Sequence, residues 1–152
     1  VGQDYAPAEH RYAMTELAVK PYPHFTVSDM ELRRSGVSYT IDTLRELRQI
    51  YPDKELYFII GADSVAQLHT WNSINEMLQL ATFVAAGRPG YEGVHHLGAA
   101  AAERIMLLHT PEYDISSTEI RTRLHEGASL AGLVPRAVEQ YINAHNLYQR
   151  QG

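Results

Sequence analysis

The sequence predicts an α/β protein in which a doubly wound parallel sheet carries helices on both faces. Three observations carry that expectation. ELYFII, ATFVAAG and ERIMLLHT are short apolar runs; segments of helical periodicity alternate with strands; and the strands end in glycine or polar loop. With 152 residues and 45% hydrophobic content, one domain spanning 1–152 is the expectation.

The elements follow in order along the chain. PAEHRYAMTELAVK sets Tyr12, Met14, Leu17 and Ala18 at near-helical spacing, with Pro7 suited to a first turn and Pro21 ending the run. HFTVSDMEL alternates Phe25 and Val27, then less cleanly Met30 and Leu32, and is expected to be a short strand with an extended connection. SGVSYTIDTLRELRQIY places Ile41, Leu44, Leu47 and Ile50 on one helical stripe. ELYFIIGAD reads as a buried strand, apolar on both faces, that stops at glycine and an acid. From Ser64 to Leu80 two short helices are expected, with Trp71 at the elbow and Ser73 capping INEMLQLA. ATFVAAGRPGY and ERIMLLHT are further strands, and GAAAAER reads as a short helix. ISSTEIR opens a helix that runs to about His125 and stops at Gly127; VPRAVEQYINAHNLY adds another, with Val138, Tyr141 and Ile142 facing inward.

Composition excludes several classes. No run reaches the ~18 apolar residues of a membrane span, and VGQDYAPAEHR has neither half of a secretory signal. A soluble, membrane-free protein is expected. A net charge of −5 gives no electrostatic footprint for a nucleic-acid backbone, so no polynucleotide partner is expected. Zero cysteines rule out a disulfide framework and suit a reducing cytoplasm.

In parallel α/β sheets ligands lie beyond the carboxyl ends of the strands. That rule singles out Gly61 and Asp63 after ELYFII, Arg88 after TFVAAG, and the ISSTEIR helix mouth after IMLLH. Each has two readings. Asp63 accepts from ribose hydroxyls, with Gly61 giving close approach, or it caps a helix. Arg88 neutralises phosphate or is an ordinary surface arginine. Trp71, the one tryptophan, stacks on an aromatic ring or anchors the core. Thr40 meets a carboxylate or phosphate at a helix start, or caps it. In ISSTEIR, Ser116 or Ser117 caps with Glu119 in the first turn, while the extra hydroxyls and Arg121 exceed what a cap requires and fit a phosphate cradle. Adjacent His95 and His96, with His69 and His109 elsewhere, make no metal-ligand pattern; no metal site is expected. GxGxxG, GxxxxGK[ST] and GxSxG are all absent.

SYTIDTL, FIIGADSVAQLHTW, TFVAAGRPGY, ISSTEIRTRL and VPRAVEQYINAHNLY, in this order and at these separations, resemble bacterial nicotinate-nucleotide adenylyltransferase over essentially the whole chain. The resemblance implies a Rossmann-like nucleotidyltransferase fold. It also implies transfer of the adenylyl group of ATP to nicotinate mononucleotide with Mg²⁺, giving deamido-NAD and pyrophosphate. Carried over by position, it sets Gly61, Asp63, Arg88, Ser117, Thr118 and Arg121 at ATP, and Thr40, Trp71 and Asn72 at the mononucleotide. It further implies that the chain starts beyond the family's first strand and its GG[ST]FDPxHxGH turn. None of His10, His24 or His69 has the HxGH context, so no catalytic residue is identified in this chain and its activity alone is left open. Two alternatives stand beside it: another adenylyltransferase such as phosphopantetheine adenylyltransferase, and a nucleotide-binding module without catalysis. A homodimer formed across an uncovered sheet edge is also expected.

Overall fold

Apolar runs that stop at glycine form strands here, and they pair in parallel. The computed structural model describes residues 5–65, 67–87, 103–111 and 115–148, with the side chains of 62 and 63 outside that description. Its backbone falls into two units, Arg34–Tyr113 and the pair Val1–Arg33 with Asp114–Gly152.

In the unit Arg34–Tyr113, β1 (Tyr57–Gly61), β2 (Thr82–Gly87) and β3 (Ile105–His109) make a three-stranded parallel sheet in the order β1-β2-β3. The register sets Ile59 beside Val84 and Val84 beside Met106. Alternate residues therefore turn to opposite faces. One face carries Phe58, Ile60, Phe83, Ala85 and Ile105 into a core with Ile41 and Leu44 of α2 (Thr40–Ile50) and Met77 and Leu78 of α4 (Ile74–Leu80). Between β1 and α4 lie the single turn α3 (Ala62–Val65) and a 3₁₀ turn, Leu68–Thr70.

The opposite face is open. Tyr57 is 55% exposed, Ile59 70%, Met106 54% and Leu108 52%. The parallel α/β class thus stands; β1, read as a buried strand, places Ile60 in the core and leaves Tyr57 and Ile59 exposed. Within this unit the described helices packed on β1 lie on the Phe58 and Ile60 side, and β1 has one strand neighbour.

Two arginines finish α4. The Arg48 guanidinium donates to the carbonyls of Leu80 and Lys54, and Arg104 donates to Leu78. Helix ends leave carbonyls without partners and favour a cation, and these side chains meet both needs. On the outer surface Arg45 of α2 donates to both carboxylate oxygens of Glu76 in α4, at 2.8 and 2.7 Å.

In the second unit, α1 (Ala8–Val19), α5 (Ser117–His125) and α6 (Arg136–Ala144) surround Ala6, Leu124, Leu130, Val138, Ile142 and Leu147. Met14, Leu17 and Ala18 pack half-buried against that core, so one stripe of α1 faces inward as its spacing predicts. His10 Nδ1 lies 2.9 Å from the Tyr141 hydroxyl and ties α1 to α6. Gly127 follows α5 with φ +70°, a left-handed stop that glycine adopts without a Cβ penalty.

HFTVSDMEL is not a strand. It forms no ladder, Phe25 is 64% exposed, and Met30 is its buried residue. Alternation supplies a face but not a partner, and a strand exists only by pairing. The GAAAAER helix falls almost wholly outside the described residues.

Candidate functional site

The N-cap residue of α2, Tyr39, makes no side-chain cap bond. Its backbone is extended, and the amides of Asp42 and Thr43 turn back to the Tyr39 carbonyl. The first amides of such a helix have no acceptor within it, and the positive end of the peptide dipoles collects there. A pocket of about 300 Å³ opens at this point, lined by Tyr39, Thr40, Ile41, Thr70, Trp71, Asn72 and Met77. Thr40 is thus brought beside Trp71 and Asn72, which lie more than thirty residues further along the sequence.

Trp71 serves two surroundings. Its indole packs edge-on to Phe58, with ring centres 6.4 Å apart at 70°, and is half-buried against the core. It also lines the pocket. The sequence set core anchor against stacking platform as alternatives; the structure gives one ring a place in the core and a place on the pocket wall. Tyr39, Thr70 and Met77 line the pocket without being among the site candidates of the sequence. Two adjoin predicted residues, and Met77 is the buried end of the first turn of α4.

Ser73 departs from expectation. It occupies the N-cap position of α4 but makes no side-chain cap bond, and its backbone is left-handed at φ 61°, ψ 30°. A capping serine has extended backbone and accepts from the helix amides. Ser73 Oγ instead lies 3.4 Å from Asn72 Oδ1.

The carboxyl ends of all three strands share one edge of the sheet, since Gly61 pairs with Ala86 and Gly87 with His109. Gly61 ends β1, and a Cβ built there meets nothing within 4 Å, so backbone approach by a ligand is open. Asp63 sits in α3 directly after it. Arg88 lies outside the described residues.

The ISSTEIR helix mouth belongs to the other unit. Ser116 is its cap, accepting from the Glu119 amide at 3.1 Å. Glu119 also pairs with Arg123 at 3.0 Å. That resolves which serine caps and leaves the exposed Ser117 and Thr118 hydroxyls beyond the capping role. Arg121, one turn on, is half-buried with its guanidinium carbon 5.6 Å from the centre of the Tyr5 ring.

Near the pocket, the Arg45 hydrogen bond holds the Glu76 carboxyl below its ordinary value, and Glu76 in turn raises Arg45. The pair joins the two helices that bound the pocket.

The cytidylyltransferase-like family matches residues 2–123. A probable nicotinate-nucleotide adenylyltransferase of Thermus thermophilus is 51% identical over 144 residues, covering 95% of this chain and 75% of the relative. A protein of the same description from a Nocardioides species is 45% identical over 149 residues, covering 97% and 73%. Among solved structures, nicotinic acid mononucleotide adenylyltransferase of Plasmodium falciparum complexed with NaAD superposes with a TM-score of 0.71 at 19% identity, over 97% of this chain and 78% of that one. At that identity the likeness shows the fold. The parallel sheet, that likeness and the sequence identity agree: the chain belongs to the nicotinate-nucleotide adenylyltransferase family of nucleotidyltransferase enzymes.

Proposed function

We propose that this chain transfers the adenylyl group of ATP to nicotinate mononucleotide, giving deamido-NAD and pyrophosphate. The observation that carries the reading is the pocket of Thr40, Trp71 and Asn72, in a chain so similar to proteins of that description. A phosphate oxygen of the mononucleotide attacks the α-phosphorus of ATP. The bond from that phosphorus to the oxygen bridging the β-phosphate breaks, and pyrophosphate leaves. Such a transfer needs positioning and charge stabilisation, not a protein nucleophile.

In this reading the nicotinate carboxylate sits at the start of α2, where Thr40 and the helix dipole favour an anion. The pyridine ring stacks on Trp71, and Asn72 donates alongside. Gly61, Asp63 and Arg88 serve the adenosine side of ATP, while Ser117, Thr118 and Arg121 hold its phosphates. Among the described residues no group of three His, Cys, Asp or Glu side chains gathers for a metal. Mg²⁺ bound with ATP would neutralise charge on the phosphates that Ser117, Thr118 and Arg121 hold in this reading. The family match, running through the sequence of both units, supports a single nucleotidyltransferase domain.

No helix among the described residues is long and apolar enough to cross a membrane. A cytoplasmic setting is our reading from the ATP substrate and the lack of cysteine. The open apolar sheet face supports a homodimer as a further partner.

Two measurements test the function. Trp71, as the sole tryptophan, should be quenched by nicotinate mononucleotide and not by phosphopantetheine. Pyrophosphate release with ATP should depend on the same mononucleotide. Quenching or turnover with phosphopantetheine alone, or a mononucleotide that does neither, would overturn the reading.

A further inference from the structure

We infer that Ser73 is a positioning residue for the pyridine nucleotide. Its left-handed backbone sets Trp71 and Asn72 opposite Thr40, and with its hydroxyl it favours the acid over the amide of the pyridine ring. The inference rests on the mononucleotide reading of the pocket.

Among the described residues of Arg34–Tyr113, Ser73 is the one non-glycine residue with positive φ. A side chain in that region is uncommon and persists where surrounding contacts hold it. Here both flanks are pinned. On one side the amides of Thr70 and Trp71 donate to Gln67 and Leu68 at 2.9 and 3.0 Å, fixing the 3₁₀ turn. On the other, the Ser73 carbonyl accepts from the amide of Met77, whose side chain is 1% exposed and also lines the pocket. The chain must reverse between these anchors within Asn72 and Ser73. Extended backbone at Ser73 would serve an ordinary cap but would carry Asn72 and Trp71 away from α2.

The hydroxyl adds a smaller part. If Ser73 Oγ donates to Asn72 Oδ1, the amino group of Asn72 is left to donate elsewhere. Donors suit a carboxylate and oppose the NH₂ of an amide. At 3.4 Å this contact is long for a hydroxyl bond, so the backbone turn carries the greater share.

The experiment uses the full chain and the emission of Trp71 during titration with nicotinate mononucleotide and, separately, nicotinamide mononucleotide. Ser73→Val places a β-branched residue where left-handed backbone is least tolerated; acid affinity is expected to fall about tenfold or more, and the acid-to-amide ratio to collapse toward one. Ser73→Asn tolerates the conformation and is expected to restore acid affinity to within about threefold of wild type. Ser73→Ala, which keeps a Cβ but loses the hydroxyl, should fall between them and decides the matter if Ser73→Val does not fold. A purely structural role would change melting temperature and leave the acid-to-amide ratio in place. Wild-type affinity in Ser73→Val, or equal affinities and ratios in Ser73→Ala and Ser73→Asn, would overturn the inference while leaving the mononucleotide reading intact. A wild-type chain quenched by neither nucleotide would sink that reading, and the role of Ser73 with it.

Discussion

Arg121 shows what a single residue contributes beyond its charge. Its guanidinium carbon lies 5.6 Å from the centre of the exposed Tyr5 ring, a cation–π distance at which the ring favours one orientation of the group. Arg121→Ala is expected to weaken ATP binding by about 1.5–3 kcal/mol, the scale of a hydrogen bond to a charged group. Tyr5→Ala removes the orientation alone and should weaken it by about 0.5–1 kcal/mol, the scale of an exposed cation–π contact. Calorimetric titration with ATP checks both, and unchanged affinity in Arg121→Ala would remove Arg121 from the phosphate site. The polar excess in ISSTEIR was legible, because a cap needs one hydroxyl and the motif offers three. Which serine caps was not, since Ser116 and Ser117 differ by one residue of helix phase. The left-handed state of Ser73 was hidden altogether: serine before a helix reads as a cap, and only the anchoring of Trp71 and Met77 forces otherwise.

Between elements, the clasp of α2 on α4 has a definite pH dependence. The folded-state pKa of Glu76 lies below its usual 4.5, so the unfolded chain takes up the proton first as pH falls. Stability from the clasp is therefore full above the ordinary glutamate value and is lost as pH drops through the depressed one. Urea midpoints at pH 7 and in the acid limb should show less acid sensitivity in Glu76→Gln than in wild type; equal sensitivity would contradict the assignment. In the core beneath, Phe83 is fully buried between Phe58 and the helices, and Phe83→Ala should cost about 3–5 kcal/mol in the same denaturation series. Among the described residues, α1, α2, α4 to α6 and the three strands were legible because apolar period is a local signal, with Ser116 the cap that the sequence offered and the structure uses. HFTVSDMEL failed because its alternation had no strand to pair with, and pairing is not local.

For the molecule as a whole, the open side of the sheet matters most. Tyr57, Ile59, Met106 and Leu108 form a connected apolar surface by register, and such patches associate. Sedimentation of this chain should show concentration-dependent association that Ile59→Lys reduces; a monomer at all concentrations would count against a dimer on this face. The sequence marked these strands as apolar but could not say which face the helices choose, because that depends on where α2 and α4 pack. The parallel register has one more effect, on time. No strand here meets its neighbour through a tight turn; each pairing waits until the intervening crossover has closed. Closing such loops loses entropy before contacts compensate, and the longest closure belongs to the other unit, where His10 of α1 meets Tyr141 of α6 across a sequence separation of 131, so the packing of α1 on α6 is expected to follow the sheet on refolding. During synthesis the edge of β1 that β2 will occupy keeps its backbone amides and carbonyls unpaired until β2 follows, an exposed strand edge open to a chaperone or a nascent neighbour.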